Sequence, residues 1–108
     1  MNDIQENVRS AATDALAQYF REDAQTLPLL LDRAVNDKSP EANSEKTDWQ
    51  KYVREIAINA IARHWPTHAN TMPLLRAREK NDPTPWLRER AKELIAEIEN
   101  KSSRSQAV

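Results

Sequence analysis

Shifted by 45 places, the chain lies on itself. Residues 8–37 (VRSAATDALAQYFREDAQTLPLLLDRAVND) match residues 53–82 (VREIAINAIARHWPTHANTMPLLRAREKND) at 13 of 30 positions without a gap. The identities include Val8/Val53, Arg9/Arg54, Ala12/Ala57, Ala15/Ala60, Thr26/Thr71, Pro28/Pro73 and Asn36-Asp37/Asn81-Asp82. A third, shorter copy opens at DPTPWLRERAKELIAEI, 34 places after the second. Self-similarity at such a period constrains the fold more than any single motif. Each unit must then bury its apolar face against its neighbours.

Every unit reads as helix. Ala, Leu, Glu, Arg and Lys dominate, period-two alternation is missing, and with no glycine in the chain the helix stops fall to Pro, Asn and Asp. Thr26 and Thr71 are expected as N-caps, with Pro28 and Pro73 in the first turn, where a missing N–H costs nothing. They open two outer helices, 26–36 and 71–80. Three inner helices are expected over 4–20, 48–65 and 85–99. Thr84 caps the last of them and Pro85 starts it. Apolar residues at steps 0, 4, 7, 8, 11 and 12 share one face: Val8, Ala12, Ala15, Leu16, Tyr19 and Phe20; Val53, Ala57, Ala60, Ile61, His64 and Trp65; Leu87, Ala91, Leu94, Ile95 and Ile98. The spacings of 45 and 34 leave eleven extra residues within DKSPEANSEKTD, expected as a mobile polar loop over 37–48. Residues 1–100 form the domain, and 101–108 read as a disordered tail.

An outer helix, an Asp-bearing turn and then a VR..A..AI inner helix resembles the HEAT repeat. The short HEAT-like form of bacterial proteins and phycobilin lyases is the nearer likeness, and it covers residues 3 to 99. NDPTPWLRERAKELIAEI is the most similar stretch. Ala17, Ala62 and Ala96 stand where that family often has Gly, so the helices should continue smoothly. The resemblance implies an all-α fold, a short right-handed α-solenoid of about five helices. It also implies that Asp3, Asp48 and Asp82 form an inter-repeat ladder with Arg9, Arg54 and Arg88. Inner helices line the concave side, the usual binding surface of such solenoids.

Positions 2, 6 and 10 steps along each inner helix point away from the expected core. They are Ser10, Asp14 and Gln18; Glu55, Asn59 and Arg63; Glu89, Glu93 and Glu97, five acids against one base. A phosphate backbone needs the opposite sign, so nucleic acid is excluded and a basic protein surface suits better. A merely solvated face is the plain alternative. Tyr52 and Trp86 precede the aliphatic in equivalent units and are expected to pack against the turn, or to form an aromatic lip. His64 and His68 have the four-residue spacing of helical metal ligands, but Pro66 interrupts them and no third ligand is near, so no metal is expected.

The charged residues, 31% of the chain with a net charge of −1, mix both signs. No cysteine, signal peptide or apolar run of membrane-spanning length is present. No membrane association is therefore expected, and a cytoplasmic protein is. No nucleophile–base order, phosphate loop or cofactor motif suggests an enzyme or a cofactor. The expected function is a non-catalytic protein–protein interaction scaffold, a C-terminal repeat module of a larger bacterial signalling protein. The alternative is a chromophore-handling subunit of the phycobilin-lyase kind. The first inner helix has a wide apolar stripe and no outer helix before it, so self-association through that end is also expected.

Overall fold

Among the described residues, five α-helices supply the regular structure: α1 (Asp3–Tyr19), α2 (Thr26–Asn36), α3 (Val53–His64), α4 (Thr71–Asn81) and α5 (Pro85–Gln106). The computed structural model describes residues 3–42, 45–46 and 52–106, with side chains described over 8–42, 45–46 and 52–101. Among the described residues there is no strand, and no helix is long and apolar enough to cross a membrane.

The turns after α1 and α3 close in the same way. Thr26 Oγ1 donates to the Phe20 carbonyl and Thr71 Oγ1 to that of Trp65. The Gln25 N–H donates to Asp23 Oδ1 at 2.8 Å, and the Asn70 N–H to His68 Nδ1 at 3.1 Å. The threonines are thus the first helical residues and not caps. Pro28 and Pro73 have no N–H to offer a capping hydroxyl, and Leu29 N–H and Leu74 N–H already bond to Gln25 and Asn70 carbonyls. Each hydroxyl is left to fasten the helix backward onto the turn.

Packing follows the order of the chain. α2 lies on α3, α4 lies on α5, and α3 is central, touching the other four helices. Leu27, Leu30 and Ala34 of α2 share one core cluster with Ala57, Ile58, Ile61, Leu74, Leu75, Leu87 and Leu94. Helix α1 differs from α3 and α5. Its buried residues are Ser10, Thr13 and Ala17, whereas Val8, Ala12, Tyr19 and Phe20 are exposed. The inward face expected for α1 is therefore turned. Its main neighbour is α3, with a smaller contact to α2, and the side turned toward them is the buried one.

Three expected boundaries move. Helix α3 starts at Val53 and not near 48, with Tyr52 as its extended cap residue; residues 47–51 lie outside the described set. Helix α5 continues through 101–106, expected as disordered tail, because KSSRSQ contains no breaker and Lys, Arg and Gln propagate helix well. Residues 37–40 are not mobile loop: Asp37, Ser39 and Pro40 are buried. Ser39 N–H donates to Asp37 Oδ1 and Thr84 N–H to Asp82 Oδ1, both at 2.9 Å. Asp37-Lys38-Ser39-Pro40 thereby takes the part of Asp82-Pro83-Thr84-Pro85, and the extra residues are 41–51.

Candidate functional site

The recurrent charged residues meet inside the fold. Arg9 donates through Nε and Nη2 to the Asp37 carboxylate at 3.0 and 3.3 Å. Arg54 does the same to Asp82, at 3.1 Å from each nitrogen. The partners are 28 residues apart both times. Arg54 also donates through Nη1 to the Asp37 carbonyl at 2.8 Å, and Arg88 through Nη1 to the Asp82 carbonyl at 2.7 Å. Each arginine at the start of an inner helix thus reaches the Asp turn of the next unit, of its own unit, or of both. Arg54 completes its set with Thr84 Oγ1 at 3.0 Å, and Thr84 in turn donates to the Glu41 carbonyl at 3.1 Å.

The two forks differ in depth. The Arg54 side chain is 4% exposed and that of Asp82 fully buried, whereas Arg9 is 35% exposed against a buried Asp37. Arg78 adds a second guanidinium to Asp82 at 3.4 Å, and its Nε is buried without a partner. Two buried cations on one buried anion cost much desolvation, which only complete hydrogen bonding recovers. The Asp37 carbonyl and Thr84 hydroxyl supply most of that completion.

Of the residues expected in a ladder, Arg54 and Asp82 are paired with each other, and Arg88 holds a carbonyl of the Asp82 turn. Arg9 takes its carboxylate from Asp37, which was not expected there. The side chains of Asp3 and Asp48 lie outside the described residues. Asp37 was visible as the match of Asp82 at the 45-residue shift, and D-x-S/T-P occurs at both 37–40 and 82–85. Asp48 stands five residues before Val53, as Asp82 stands five before Leu87, so the insertion leaves two acids competing for one role.

The row expected to face solvent is only partly open. Ser10 is buried, because it lies on the side of α1 that meets the rest of the molecule. Asp14 is half-buried and accepts from the exposed Gln18 at 3.0 Å. Glu55 pairs with Lys46 at 3.6 Å. Asn59 Oδ1 accepts from Arg90 Nε at 2.8 Å, and Arg90 also meets Glu93 at 3.0 Å and Glu97 at 3.9 Å. Three of the five acids therefore have a basic partner in the same chain, and the charge case for a basic partner weakens accordingly. Glu89 is exposed, as is Arg63. Arg63 lines a groove of about 430 Å³ between α3 and α5, with Pro66, Arg90, Leu94, Glu97, Ile98 and Lys101 around it.

Tyr52 and Trp86 pack on each other with ring centroids 5.4 Å apart, and Lys46 Nζ sits 5.7 Å from the Trp86 ring centroid. Packing, not an open lip, is their arrangement. His64 lies 3.1 Å from Arg21 through Nδ1 and edge-on to Trp65, while His68 Nδ1 closes the turn before α4. Burial first, then the Arg21 and Arg63 guanidiniums, lower the His64 pKa below its ordinary value. A neutral His64 is what the Arg21 contact requires, since Nδ1 must then accept.

Among the described residues no three His, Cys, Asp or Glu side chains converge as a metal site. The side chains that recur between units are occupied in fastening one unit to the next. Among the described residues the exposed large hydrophobics are Val8, Tyr19 and Phe20, beside Ala11 and Ala12, and Leu29 and Val35 on α2. Comparison with protein-family models, with curated proteins and with solved structures returns no match to this chain.

Proposed function

We propose that the chain is a non-catalytic interaction scaffold, a short right-handed α-solenoid of HEAT-like hairpins that binds another protein. The observation that carries this reading is the recurring fork, Arg9 on Asp37 and Arg54 on Asp82. The same bond at equivalent positions is how stacked units are held at a fixed angle. Polar groups that recur for stacking are unavailable for chemistry. What remains for function is surface: the α1 face, and the exposed part of the inner-helix row around Glu89, Glu93 and Glu97.

The test is affinity capture from an extract of the source organism. Wild type is run beside two variants, one with Glu55, Glu89, Glu93 and Glu97 changed to Gln and one with Val8 and Tyr19 changed to Glu. A protein retained by wild type and lost by one variant supports a scaffold and locates its binding face. Retention of no protein by wild type contradicts the scaffold reading.

One observation favours the chromophore-handling alternative. The groove between α3 and α5 combines Arg63 and Lys101 with apolar Leu94, Ile98 and Pro66, a mixture that suits a flat apolar molecule bearing carboxylates. Adding a bilin or haem and recording the visible spectrum separates the readings. An unchanged spectrum supports the scaffold. A shifted band that is lost on changing Arg63 and Lys101 to Gln supports the alternative.

A further inference from the structure

We infer that the groove between α3 and α5 receives an extended acidic segment of a partner protein, with its aliphatic side chains on the groove floor and a carboxylate paired with Arg63 and Lys101. The inference rests on the scaffold reading above and reverses the sign of partner that the sequence suggests for this row of side chains. Buried Ala62 and Leu94 form the floor, and half-buried Pro66 and Ile98 extend it. Three cations and one acid line the same groove, Arg63, Arg90 and Lys101 against Glu97. Arg90 is engaged with Asn59, Glu93 and Glu97. Arg63 and Lys101 are exposed and have no hydrogen-bond or ion-pair partner among the described residues. The charge left open at the groove is therefore positive, and it borders an apolar floor.

Stacking alone does not produce this arrangement. At shifts of 45 and 34, Pro66 and Ile98 correspond to Arg21 and His64, between α1 and α3. There Arg21 Nη1 lies 3.1 Å from His64 Nδ1, so a polar contact within the chain stands where the second pair of helices offers two apolar side chains. Gln18, the counterpart of Arg63, is bonded to Asp14. The groove also selects its occupant by length and openness. Arg90 to Lys101 along α5 is about 16 Å at 1.5 Å per residue, the reach of about five extended residues. A small ligand is held by burying most of its surface, whereas a trough with exposed Arg63, Glu97 and Lys101 at its edges encloses one side only. An extended segment presents alternate side chains to one side and suits such a trough. A nucleic acid would meet Glu89, Glu93 and Glu97 along the same helix.

A phage-displayed library of random heptapeptides, selected on the immobilised full chain, identifies the segment. Enriched sequences are expected to place Asp or Glu beside Leu, Ile or Val. A labelled copy of an enriched peptide is then titrated with the chain in solution and followed by fluorescence anisotropy. Changing Arg63 and Lys101 to Glu should weaken binding at least about tenfold, since a like charge then faces the carboxylate. Arg63→Lys combined with Lys101→Arg should retain it, and added salt should weaken binding to wild type because the paired charges stand at the surface. Both residues are exposed, so the variants should keep the wild-type helical circular dichroism, which is checked first. No enriched sequence, a consensus rich in Lys or Arg, or equal binding by the Glu variant overturns the inference. A bilin or haem that displaces the peptide from wild type and binds more tightly than it overturns it too, in favour of a small ligand. A basic consensus lost on changing Glu89 and Glu93 to Gln removes only the acidic segment and leaves the scaffold reading standing. Retention of no protein in the extract capture removes the scaffold itself.

Discussion

Helices α1 and α3 carry aligned sequence and have different fates. Val8 is 62% exposed and Val53 fully buried, although the same residue stands at the same step of the same pattern. The periodicity that marks an apolar stripe specifies a helix with something to hide. It does not specify what hides it. Cover comes from neighbours: α3 touches the other four helices, whereas α1 meets α3 and, to a smaller extent, α2. The forks repeat the lesson, since Arg54 and Asp82 are enclosed while Arg9 stays partly exposed.

Among side-chain truncations, the largest predicted effect breaks the forks unequally. Asp82→Ala leaves Arg54 and Arg78 buried without their carboxylate and should lower stability by about 3–5 kcal/mol. Asp37→Ala releases the more exposed Arg9 and should cost about 1–2 kcal/mol. Urea unfolding followed by helical circular dichroism measures both. Equal losses would mean that the two forks are equally enclosed.

The next prediction compares the stripes. Ile61→Ala opens a cavity in the shared core and should cost about 3 kcal/mol. Its counterpart Leu16→Ala, on the half-covered face, should cost about 1 kcal/mol for the smaller apolar area restored to water.

Helix number and most helix positions were legible because the chain punctuates itself with Thr-x-Pro and Asn-Asp at each turn. That Arg54 and Asp82 belong to one set of bridging residues was implied by the HEAT-like resemblance, and their pairing with each other comes from the structure. Asp37 was not selected as Arg9's partner, because two acids, Asp37 and Asp48, compete for one role once the insertion intervenes. Local spacing favours one and the long shift favours the other. Only the path of the chain, with Ser39 bonded like Thr84, decides between them. The burial of Ser10 and the exposure of Val8 were illegible for a different reason, since a stripe cannot report which neighbour is present. Arg90's pairing with Glu93 and Glu97 escaped notice because Arg90 lies outside the regular row, although its i+3 and i+7 spacing from those acids was there to read.

The smallest prediction concerns pH. His64 has a lowered pKa in the fold, so the unfolded chain binds the proton more readily and stability rises with pH across the interval between the two values. The contribution is fully present above the ordinary value of 6.5 and is lost as pH falls through the lowered value. His64→Gln should flatten the pH dependence of the unfolding midpoint in that interval. An unchanged slope would assign the dependence to other groups.

The most direct test of the central claim, that equivalent faces of α1 and α3 differ only in cover, is a pair of charged substitutions at the two valines. Val8→Glu should leave the urea midpoint close to wild type, within about 0.5 kcal/mol of stability, as exposed substitutions do. Val53→Glu should remove the cooperative transition or most of its stability, since a carboxylate would be buried without a partner. Comparable damage from both would contradict the account, by showing that α1 is covered as α3 is.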